Sequence, residues 1–210
     1  DDEWLYLALT EHLIRYPYKP GDTKPSGAGE IITKFPNTQT PGEESVVWHI
    51  TRTLLFYEDN LYIAIGSGCN SCEQPDKELR GMVMVMEPDG SKARVYADGL
   101  RNSVGIAVAK GYLYATANGV DHLGSDAPDE LMYRLEDGLH HGWPYCYENN
   151  GEMRPDTTRI WNQEFPCEDV PRPLTTFAPR SAPLGLTYFG QDHQVSVLKD
   201  SFLVALHGSF

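Results

Sequence analysis

The sequence predicts an all-β protein of the β-propeller class, and three observations support that prediction. A short, nearly all-apolar strand pattern recurs at residues 5–10, 61–66, 113–118 and 202–207. Companion strands flank these copies and are joined by hairpin turns such as Asp89-Gly90 and Asp137-Gly138. No segment shows a convincing helical pattern. Four short antiparallel strands in a unit of roughly 50 residues are typical of a propeller blade.

The companion strands recur in the same order in successive units. Strands upstream of the repeated copy are predicted at 53–57, 104–108 and 184–188, and strands downstream of it at 13–16, 82–86 and 131–135. A fourth strand follows in places, at 30–33 and 93–96. Because the repeated copy is apolar at nearly every position, we expect it to be buried on both faces. It should lie innermost in its blade or next to the innermost strand.

The spacing of the copies indicates an incomplete ring. They start 56, 52 and 89 residues apart, and the longest interval contains a loop insertion at about 138–172. A closed propeller typically has 4–8 blades, whereas this chain holds about four blades' worth of sequence. We therefore interpret residues 1–210 as a single propeller domain that is incomplete at both ends, to be completed by further sequence or by another chain. The residues alone leave a β-sandwich or a solenoid open as alternatives.

The charge of the chain limits the partners that it can have. Its formal net charge is −13, and it contains no long apolar run. Nucleic acids and anionic membranes attract clustered Lys and Arg, so we expect neither nucleic-acid binding nor membrane insertion. An acidic surface suits a small neutral or cationic ligand, although solubility alone explains it equally well.

The four cysteines form two close pairs, Cys69/Cys72 and Cys146/Cys167. A redox Cys-x-x-Cys motif is expected at a helix start in a βαβ unit, and a four-cysteine zinc site normally repeats that spacing. Neither pattern is visible. We therefore predict two local disulfides, which indicate an oxidising compartment, either the periplasm or the outside of the cell.

Polar residues at the ends of two strands give the first indication of a binding site. Leu-Arg-Asn at 100–102 precedes one strand, and Asn-Gly-Val-Asp at 118–121 follows the next, before a carboxylate-rich loop that ends in Pro-Asp-Glu-Leu at 128–131. A hairpin that only had to fold would carry generic turn residues at these positions. An arginine at one strand entrance and an acidic, glycine-containing loop at the other strand exit suggest a bound anion beside a bound cation.

Seven ordered motifs cover nearly the whole chain. They include Trp-His-Ile-Thr-Arg-Thr-Leu-Leu-Phe at 48–56, Gly-Leu-Arg-Asn-Ser-Val-Gly-Ile-Ala at 99–107, the pair at 118–121 and 128–131, and Ala-Pro-Leu-Gly-Leu at 182–186; the others lie at 61–70, 142–146 and 205–210. In this order they resemble the soluble quinoprotein sugar dehydrogenases, most closely the sorbosone dehydrogenase branch. The resemblance implies a six-bladed propeller that binds pyrroloquinoline quinone (PQQ) and calcium, oxidises a sugar at its alcohol or hemiacetal carbon, and passes electrons to an external acceptor.

The resemblance also assigns roles to residues in the motifs. His49 would be the base that removes the hydroxyl proton of the sugar, and Arg101 and Asn102 would bind the quinone oxygens, with Arg101 stabilising the developing charge. Arg180 and His207 would contact the cofactor carboxylates. Arg180 stands where the family usually has His. The alternatives are a solvated or core histidine at position 49 and a rim salt bridge at position 101.

Calcium prefers oxygen ligands, and the resemblance places them on the backbone. The carbonyls of Gly119 and Val120 would bind the cofactor's calcium ion, and the Val120 side chain, where soluble glucose dehydrogenases often have Pro, does not affect a carbonyl ligand. Asp129 and Glu130 would support this loop or hold a second calcium. A calcium-dependent propeller lactonase and a non-catalytic binding propeller remain the rival functions.

Overall fold

The computed structural model describes residues 3–36, 48–73 and 79–208, and these residues are organised in antiparallel sheets. The helical segments in these ranges are two 3₁₀ turns, at Cys167–Asp169 and Ser196–Leu198. No helix in the described ranges is long and apolar enough to cross a membrane. The expectation of an all-β chain is therefore confirmed.

Four sheets follow one another along the chain. The first contains β1 (Trp4–Ala8), β2 (His12–Pro17) and β3 (Glu30–Lys34). The second contains, in spatial order, β4 (Arg52–Tyr57), β5 (Asn60–Ile65), β6 (Met82–Met86) and β7 (Arg94–Ala97). The third contains β8 (Ile106–Ala109), β9 (Tyr112–Ala117), β10 (Glu130–Arg134) and β13 (Thr175–Phe177). The fourth pairs β14 (Pro183–Phe189) with β15 (Ser201–Leu206).

The segment between β10 and β13 leaves the third sheet and then returns to it. It contains a separate hairpin, β11 (Cys146–Asn149) and β12 (Glu152–Pro155), which a Cys146–Cys167 disulfide links to the 3₁₀ turn. A second disulfide joins Cys69 to Cys72. Both predicted disulfide pairings are confirmed, and the hairpin lies within the segment predicted as a loop insertion.

The first strands of the second, third and fourth sheets approach one another. β8 contacts both β4 and β14. Just before β8, a Cβ atom on Gly105 would lie 2.1 Å from the carbonyl oxygen of Leu184, so only glycine permits this close backbone approach. Thr53 Oγ1 donates to the carbonyl of Val104 over 2.6 Å, and Thr116 Oγ1 donates to Leu184 O over 3.0 Å. The sheets therefore converge on their first strands, as the blades of a propeller do.

The repeated apolar strand lies second in the second, third and fourth sheets and first in the first sheet, and in the second sheet it separates two hydrophobic clusters. Along β5, Leu61, Ile63 and Ile65 pack into the cluster shared with the first sheet. The alternate residues Tyr62 and Ala64 pack into the cluster shared with the third sheet. This alternation follows from the two-residue period of a strand, and it explains why the whole strand is apolar.

Burial on both faces does not extend to every copy, so this part of the expectation is wrong for β1 and β15. Leu7 is 42% exposed and Leu203 is 54% exposed, whereas Leu61 and Ile63 are fully buried. The physical reason is that, among the described residues, the first and fourth sheets each pack against one neighbouring sheet. The second and third sheets each pack against two.

Candidate functional site

Segments that lead into two inner strands meet at Ser67, just after β5. The Nδ1 atom of His49 lies 3.0 Å from the carbonyl oxygen of Ser67 and 3.0 Å from its Oγ. The backbone N–H of Ser67 donates to the carbonyl of Arg101 over 2.7 Å. His49 precedes β4 and Arg101 precedes β8, so Ser67 joins residues that lie 52 positions apart in the sequence.

A shared backbone kink turns the chain at the entrances to the inner strands. His49, Arg101 and Arg180 all have positive φ values, of 42°, 47° and 66°. Side chains other than glycine rarely adopt this conformation, and it costs on the order of 1 kcal/mol or more at each position. Such strain persists only where surrounding contacts hold it, and it is concentrated at functional sites. Of the nine non-glycine residues with positive φ in the described ranges, these three were also selected by the sequence analysis.

The hydrogen bonds of His49 fix which ring nitrogen carries the proton. Ser67 Oγ donates its own proton to the carbonyl of Cys69 over 2.6 Å, so both Ser67 oxygens act as acceptors toward the ring. Nδ1 must therefore be the protonated nitrogen, which leaves a lone pair on Nε2. Burial, reinforced by the positive charge of Arg101, lowers the pKa of His49 to about 3. The imidazole is thus neutral near pH 7 and can accept a proton at Nε2.

A glycine allows His49 and Asn102 to lie side by side. A Cβ atom on Gly66 would lie 2.4 Å from His49 Cβ and 2.7 Å from Asn102 Oδ1, so a larger residue here would push the two apart. Asn102 Nδ2 donates to Asn118 Oδ1 over 2.8 Å, and Asn118 Nδ2 donates to the carbonyl of Pro183 over 3.0 Å. This chain of amides connects the third sheet to the fourth.

Arg101 is buried, and Asn70 holds most of its guanidinium. Nε donates to the carbonyl of Asn70 over 2.9 Å, and Nη2 donates to Asn70 Oδ1 over 2.8 Å. Nη2 also donates to Asp121 Oδ2 over 2.7 Å. Burial lowers the pKa of Arg101, and the negative charges of Asp121 and Glu130 oppose that shift. Within the described part of the chain Nη1 makes no hydrogen bond, so it remains available to a ligand.

Arg180 lies on the other side of Asp121. Its Nη1 donates to Asp121 Oδ1 over 2.8 Å, so a single carboxylate bridges Arg101 and Arg180. Its Nη2 donates to the carbonyls of Asp121 and Gly124, each over 2.7 Å. Its Nε donates to Gly124 O over 3.2 Å. All three guanidinium nitrogens are therefore bound to the loop after Val120.

Gly119 and Val120 continue directly from Asn118 and so lie beside the amide chain. The N–H of Gly119 donates to Glu130 Oε2 over 2.7 Å, and Pro128 packs so closely that a Cβ on Gly119 would lie 2.5 Å from Pro128 Cγ. Burial raises the pKa of Glu130, and the Gly119 N–H and Arg101 oppose that shift. No hydrogen bond in the described residues ends on the carbonyl oxygen of Gly119 or Val120, so both oxygens are free to bind a cation.

The TrAA12-like family model matches residues 1–210. The chain belongs to this family. Solved structures with a similar fold include the holo form of the pyranose dehydrogenase PQQ domain from Coprinopsis cinerea, with 19% identity and a TM-score of 0.77, covering 99% of this chain and 58% of that one. The calcium structure of the Trichoderma reesei Carbohydrate-Active Enzymes Family AA12 protein has 17% identity and a TM-score of 0.71, covering 89% of this chain and 56% of that one.

A third similar structure is the apo form of the soluble aldose sugar dehydrogenase from Escherichia coli, with 15% identity and a TM-score of 0.66; the match covers 93% of this chain and 57% of that one. No curated protein is significantly similar to this chain. The predicted resemblance and the β-propeller fold are confirmed. At these identities the structural matches establish the fold alone, and this TrAA12-like chain spans less than two thirds of each matched structure.

The remaining predicted residues lie apart from the site centred on Ser67. Asp129 is tied to the insertion: its N–H donates to the carbonyl of Glu148, and its Oδ2 accepts from the N–H of Asn150, each over 3.0 Å. His207 is exposed, and its Nδ1 lies 2.8 Å from the carbonyl of Gly208. The described ranges contain no group of three or more His, Cys, Asp or Glu side chains that could hold a metal ion, so a second calcium at Asp129 and Glu130 remains a prediction.

The aromatic residues of the insertion pack against one another. The ring of Tyr145 stacks on Phe165 at a centroid distance of 5.0 Å and meets Trp161 edge-on at 5.4 Å, beside the Cys146–Cys167 disulfide. Trp143 is buried, and its indole Nε1 donates to the carbonyl of Asn70 over 3.2 Å. Of the two roles open to these residues, a sugar-binding wall or packing under the insertion, these contacts support packing.

Four residues that received no role in the sequence analysis complete the site: Ser67, Asn70, Asn118 and Asp121. All four lie inside motifs that carried the resemblance, and Asn70 lies within the Cys69–Cys72 pair. The sequence offered one signal, at Asn70, which is a polar residue inside a short disulfide loop beside the end of a strand. Their roles come from contacts with segments distant in the sequence, so the pattern could not identify those partners.

Proposed function

We propose that this TrAA12-like chain forms the cofactor-binding part of a PQQ- and calcium-dependent sugar dehydrogenase. The observation that supports this most strongly is the joint at Ser67. It joins a neutral histidine and a buried arginine, and among the described residues neither His49 Nε2 nor Arg101 Nη1 makes a hydrogen bond. A proton acceptor beside an anion-stabilising group is the arrangement that oxidation of an alcohol requires.

The residues present fit the proposed cofactor. PQQ is a flat ring system with carboxylates and quinone oxygens, and it requires guanidinium and amide donors together with a hard cation. The chain supplies Arg101 Nη1 and the Asn102 side chain as polar groups. The free carbonyls of Gly119 and Val120 are the type of oxygen ligand that calcium prefers. Two ligands do not complete a calcium shell, so cofactor oxygens and water would provide the others.

Names of structurally similar proteins support the same assignment. One is described as the holo form of a pyranose dehydrogenase PQQ domain, one as a calcium structure of a family AA12 protein, and one as a soluble aldose sugar dehydrogenase. Membership of the TrAA12-like family favours a sugar oxidoreductase over a lactonase or a non-catalytic propeller. The choice of sugar, including the aldose or sorbosone subtype, is part of the proposal.

His49 would act on the hydroxyl group of the sugar. Its Nε2 accepts the hydroxyl proton while Ser67 holds Nδ1–H and so keeps the ring in the required tautomer. PQQ, when bound, supplies the carbon that accepts the hydride. Arg101 would stabilise negative charge with the fixed donors of its guanidinium, because Asn70 and Asp121 already hold the group in place.

Arg180 and His207 are proposed contacts for the cofactor carboxylates, with Arg180 the nearer to Arg101 through their shared Asp121. An external electron acceptor would then reoxidise the cofactor.

Further blades, from a longer chain or a second subunit, would close the ring. The two disulfides favour an oxidising compartment, either the periplasm or the outside of the cell.

Absorbance spectroscopy of the whole protein tests the proposed function. Cofactor-free protein is mixed with PQQ and calcium, and the spectrum of the bound quinone is followed while a panel of sugars is added. We expect a calcium-dependent bound spectrum that at least one sugar bleaches. Absence of binding would contradict the proposal, and binding without bleaching by any sugar would favour a non-catalytic binding protein.

His49→Gln separates the catalytic role from the binding role. The variant should retain PQQ binding and lose roughly 10²–10⁴-fold in turnover, the range for removal of a general base. His193→Gln, at a half-buried histidine outside the site, is the matched control and should retain activity. Unchanged turnover in His49→Gln would exclude His49 as the base.

A further inference from the structure

Three buried side-chain atoms that have no hydrogen-bond partner among the described residues line one small cavity beneath the site. They are Tyr133 Oη, His141 Nε2 and Glu148 Oε2, on residues that are 1%, 3% and 2% exposed. The cavity has a volume of about 40 Å³, and its walls include Arg101, Gly119 and Val120. Buried polar groups are almost always hydrogen-bonded, so three unpaired atoms around one space require an explanation.

The hydrogen-bonding capacity of each atom can be assigned. His141 Nδ1 lies 3.1 Å from the carbonyl of Asp98, which only accepts, so Nδ1 carries the proton and Nε2 is an acceptor. Burial lowers the pKa of His141 to about 4, which keeps the ring neutral. Glu148 Oε1 accepts the N–H of Gly151, which leaves the other carboxyl oxygen, Oε2, as an acceptor. The hydroxyl of Tyr133 can donate.

We propose that this cavity binds an ordered water molecule. The water donates to His141 Nε2 and Glu148 Oε2 and accepts from Tyr133 Oη, which gives the three hydrogen bonds typical of a buried water. The volume is sufficient, because a single water needs roughly 10–15 Å³ of such space. The described residues contain no side-chain cluster that could hold a metal ion there. The water fills the space behind the Gly119–Val120 loop and so supports it from below.

Substituting Tyr133 by Phe distinguishes a hydrated site from a dry one. If the hydroxyl donates to a bound water, its removal should lower the thermal midpoint of the protein at pH 8 by a few degrees. If the hydroxyl is a dry, unpaired group, the same substitution should raise the midpoint, because it removes a buried polar group that has no partner. Tyr62→Phe, at a tyrosine outside this cavity, is the control and should leave the midpoint nearly unchanged.

A crystal structure of the protein at pH 8 gives the direct test. We expect density within about 2.6–3.2 Å of all three atoms, the range for hydrogen bonds to water. Empty space, a direct Tyr133–Glu148 hydrogen bond, or an ion with an anomalous signal would each overturn the proposal.

The contacts of Arg180 carry a second, independent inference. Its four hydrogen bonds end on Asp121 and Gly124, in the loop that directly follows Gly119 and Val120. Asn70 Oδ1 holds the same loop from the opposite direction, by accepting the N–H of Asp121 over 2.9 Å. Two segments from different sheets therefore fix the backbone next to the two free carbonyls.

We infer that Arg180 is a positioning residue for the proposed cation site, which means that this inference rests on the proposed function. By holding the carbonyls of Asp121 and Gly124, the guanidinium keeps the Gly119–Val120 backbone in a conformation ready to bind calcium. An imidazole at this position has two ring nitrogens and cannot reproduce four hydrogen bonds. We call these four hydrogen bonds from Arg180 to Asp121 and Gly124 the clamp. Histidine at position 180 would not provide it.

Two measurements on Arg180→Ala test the clamp. Amide hydrogen exchange at residues 119–124, without cofactor, should become faster. The calcium concentration needed for half-maximal PQQ binding should rise roughly 10-fold or more, as it does when groups that orient metal ligands are removed. Arg180→Lys should recover only part of the effect, because an ammonium cannot bridge the same acceptors. Arg172→Ala, on the insertion, is the control.

The outcomes separate this inference from the proposed function. Unchanged exchange at 119–124 overturns the clamp. Faster exchange with an unchanged calcium requirement also overturns it, and shows that Arg180 affects the loop without serving the cation. If the unmodified protein binds PQQ without calcium, the proposed cation site is wrong. In that case Arg180 does not position calcium ligands either.

Discussion

The central and outer sheets of this chain use the same strand motif under different conditions. β5 and β15 are both short, apolar second strands, yet Leu61 is fully buried and Leu203 is 54% exposed. The central strand is enclosed by hydrophobic clusters on both faces. The outer strand pairs with β14 and has no hydrophobic cluster on both sides within the described residues. A propeller strand therefore acquires its burial from neighbouring blades, and its own sequence supplies only the capacity for burial.

The residues of the candidate site also differ between the central and the outer sheets. His49, Arg101 and Asn102 belong to the entrances of the two central sheets, and the shared Ser67 joint holds them by several contacts. Arg180 and His207 belong to the fourth sheet. Arg180 reaches the site through Asp121, whereas the His207 ring contacts the carbonyl of the adjacent Gly208. Residues between two complete sheets are thus positioned most firmly.

Truncation of one leucine on the central strand β5 and one on the outer strand β15 should show the largest difference between the regions. Leu61→Ala removes a fully buried side chain and should reduce the free energy of unfolding by about 2–5 kcal/mol. Leu203→Ala should reduce it by less than about 1 kcal/mol, because the side chain is already half exposed. Urea unfolding of the two variants measures both changes. Equal losses would show that further sequence covers the outer sheet in the whole protein.

The pH dependence of stability should sharpen the comparison at His49. The pKa of His49 in the folded protein is about 3, below its ordinary value of 6.5, so the unfolded chain binds more protons between these values. Its contribution to stability is therefore complete above about pH 6.5 and is lost as the pH falls toward 3. His49→Gln should show a shallower loss of unfolding free energy below pH 6.5, measured by urea unfolding at several pH values. An identical slope in the variant would show that His49 is solvated.

The smallest effect is expected at the surface contact between the third and fourth sheets. Lys110 Nζ lies 2.7 Å from Asp200 Oδ2, and it joins the β8–β9 turn to the turn before β15. Solvent screens this exposed pair, so Lys110→Ala should leave the thermal midpoint unchanged within experimental error. A clear decrease would show that the outer sheet depends on this ion pair for its position.

Part of the site could be predicted because the responsible residues lie in contiguous motifs. His49, Arg101 and Asn102 stand at strand entrances, and both disulfides follow from paired cysteine spacing. The contacts of Asn70 with Arg101, and the Asp121 carboxylate that bridges Arg101 and Arg180, could not be predicted. Their hydrogen bonds join segments tens of residues apart. The same limit applies to the cavity, since Tyr133, His141 and Glu148 are unremarkable by themselves.

The sequence by itself determined the antiparallel blades, the order of their strands and the disulfide pairs. These features depend on local periodicity, turn residues and short spacings. The tertiary structure decided which apolar strands are buried on both faces, which tautomer His49 adopts and which loop Arg180 holds. These properties depend on the neighbours that the propeller brings together, and in this fold a residue's neighbours belong to adjacent blades roughly 50 positions away in the chain.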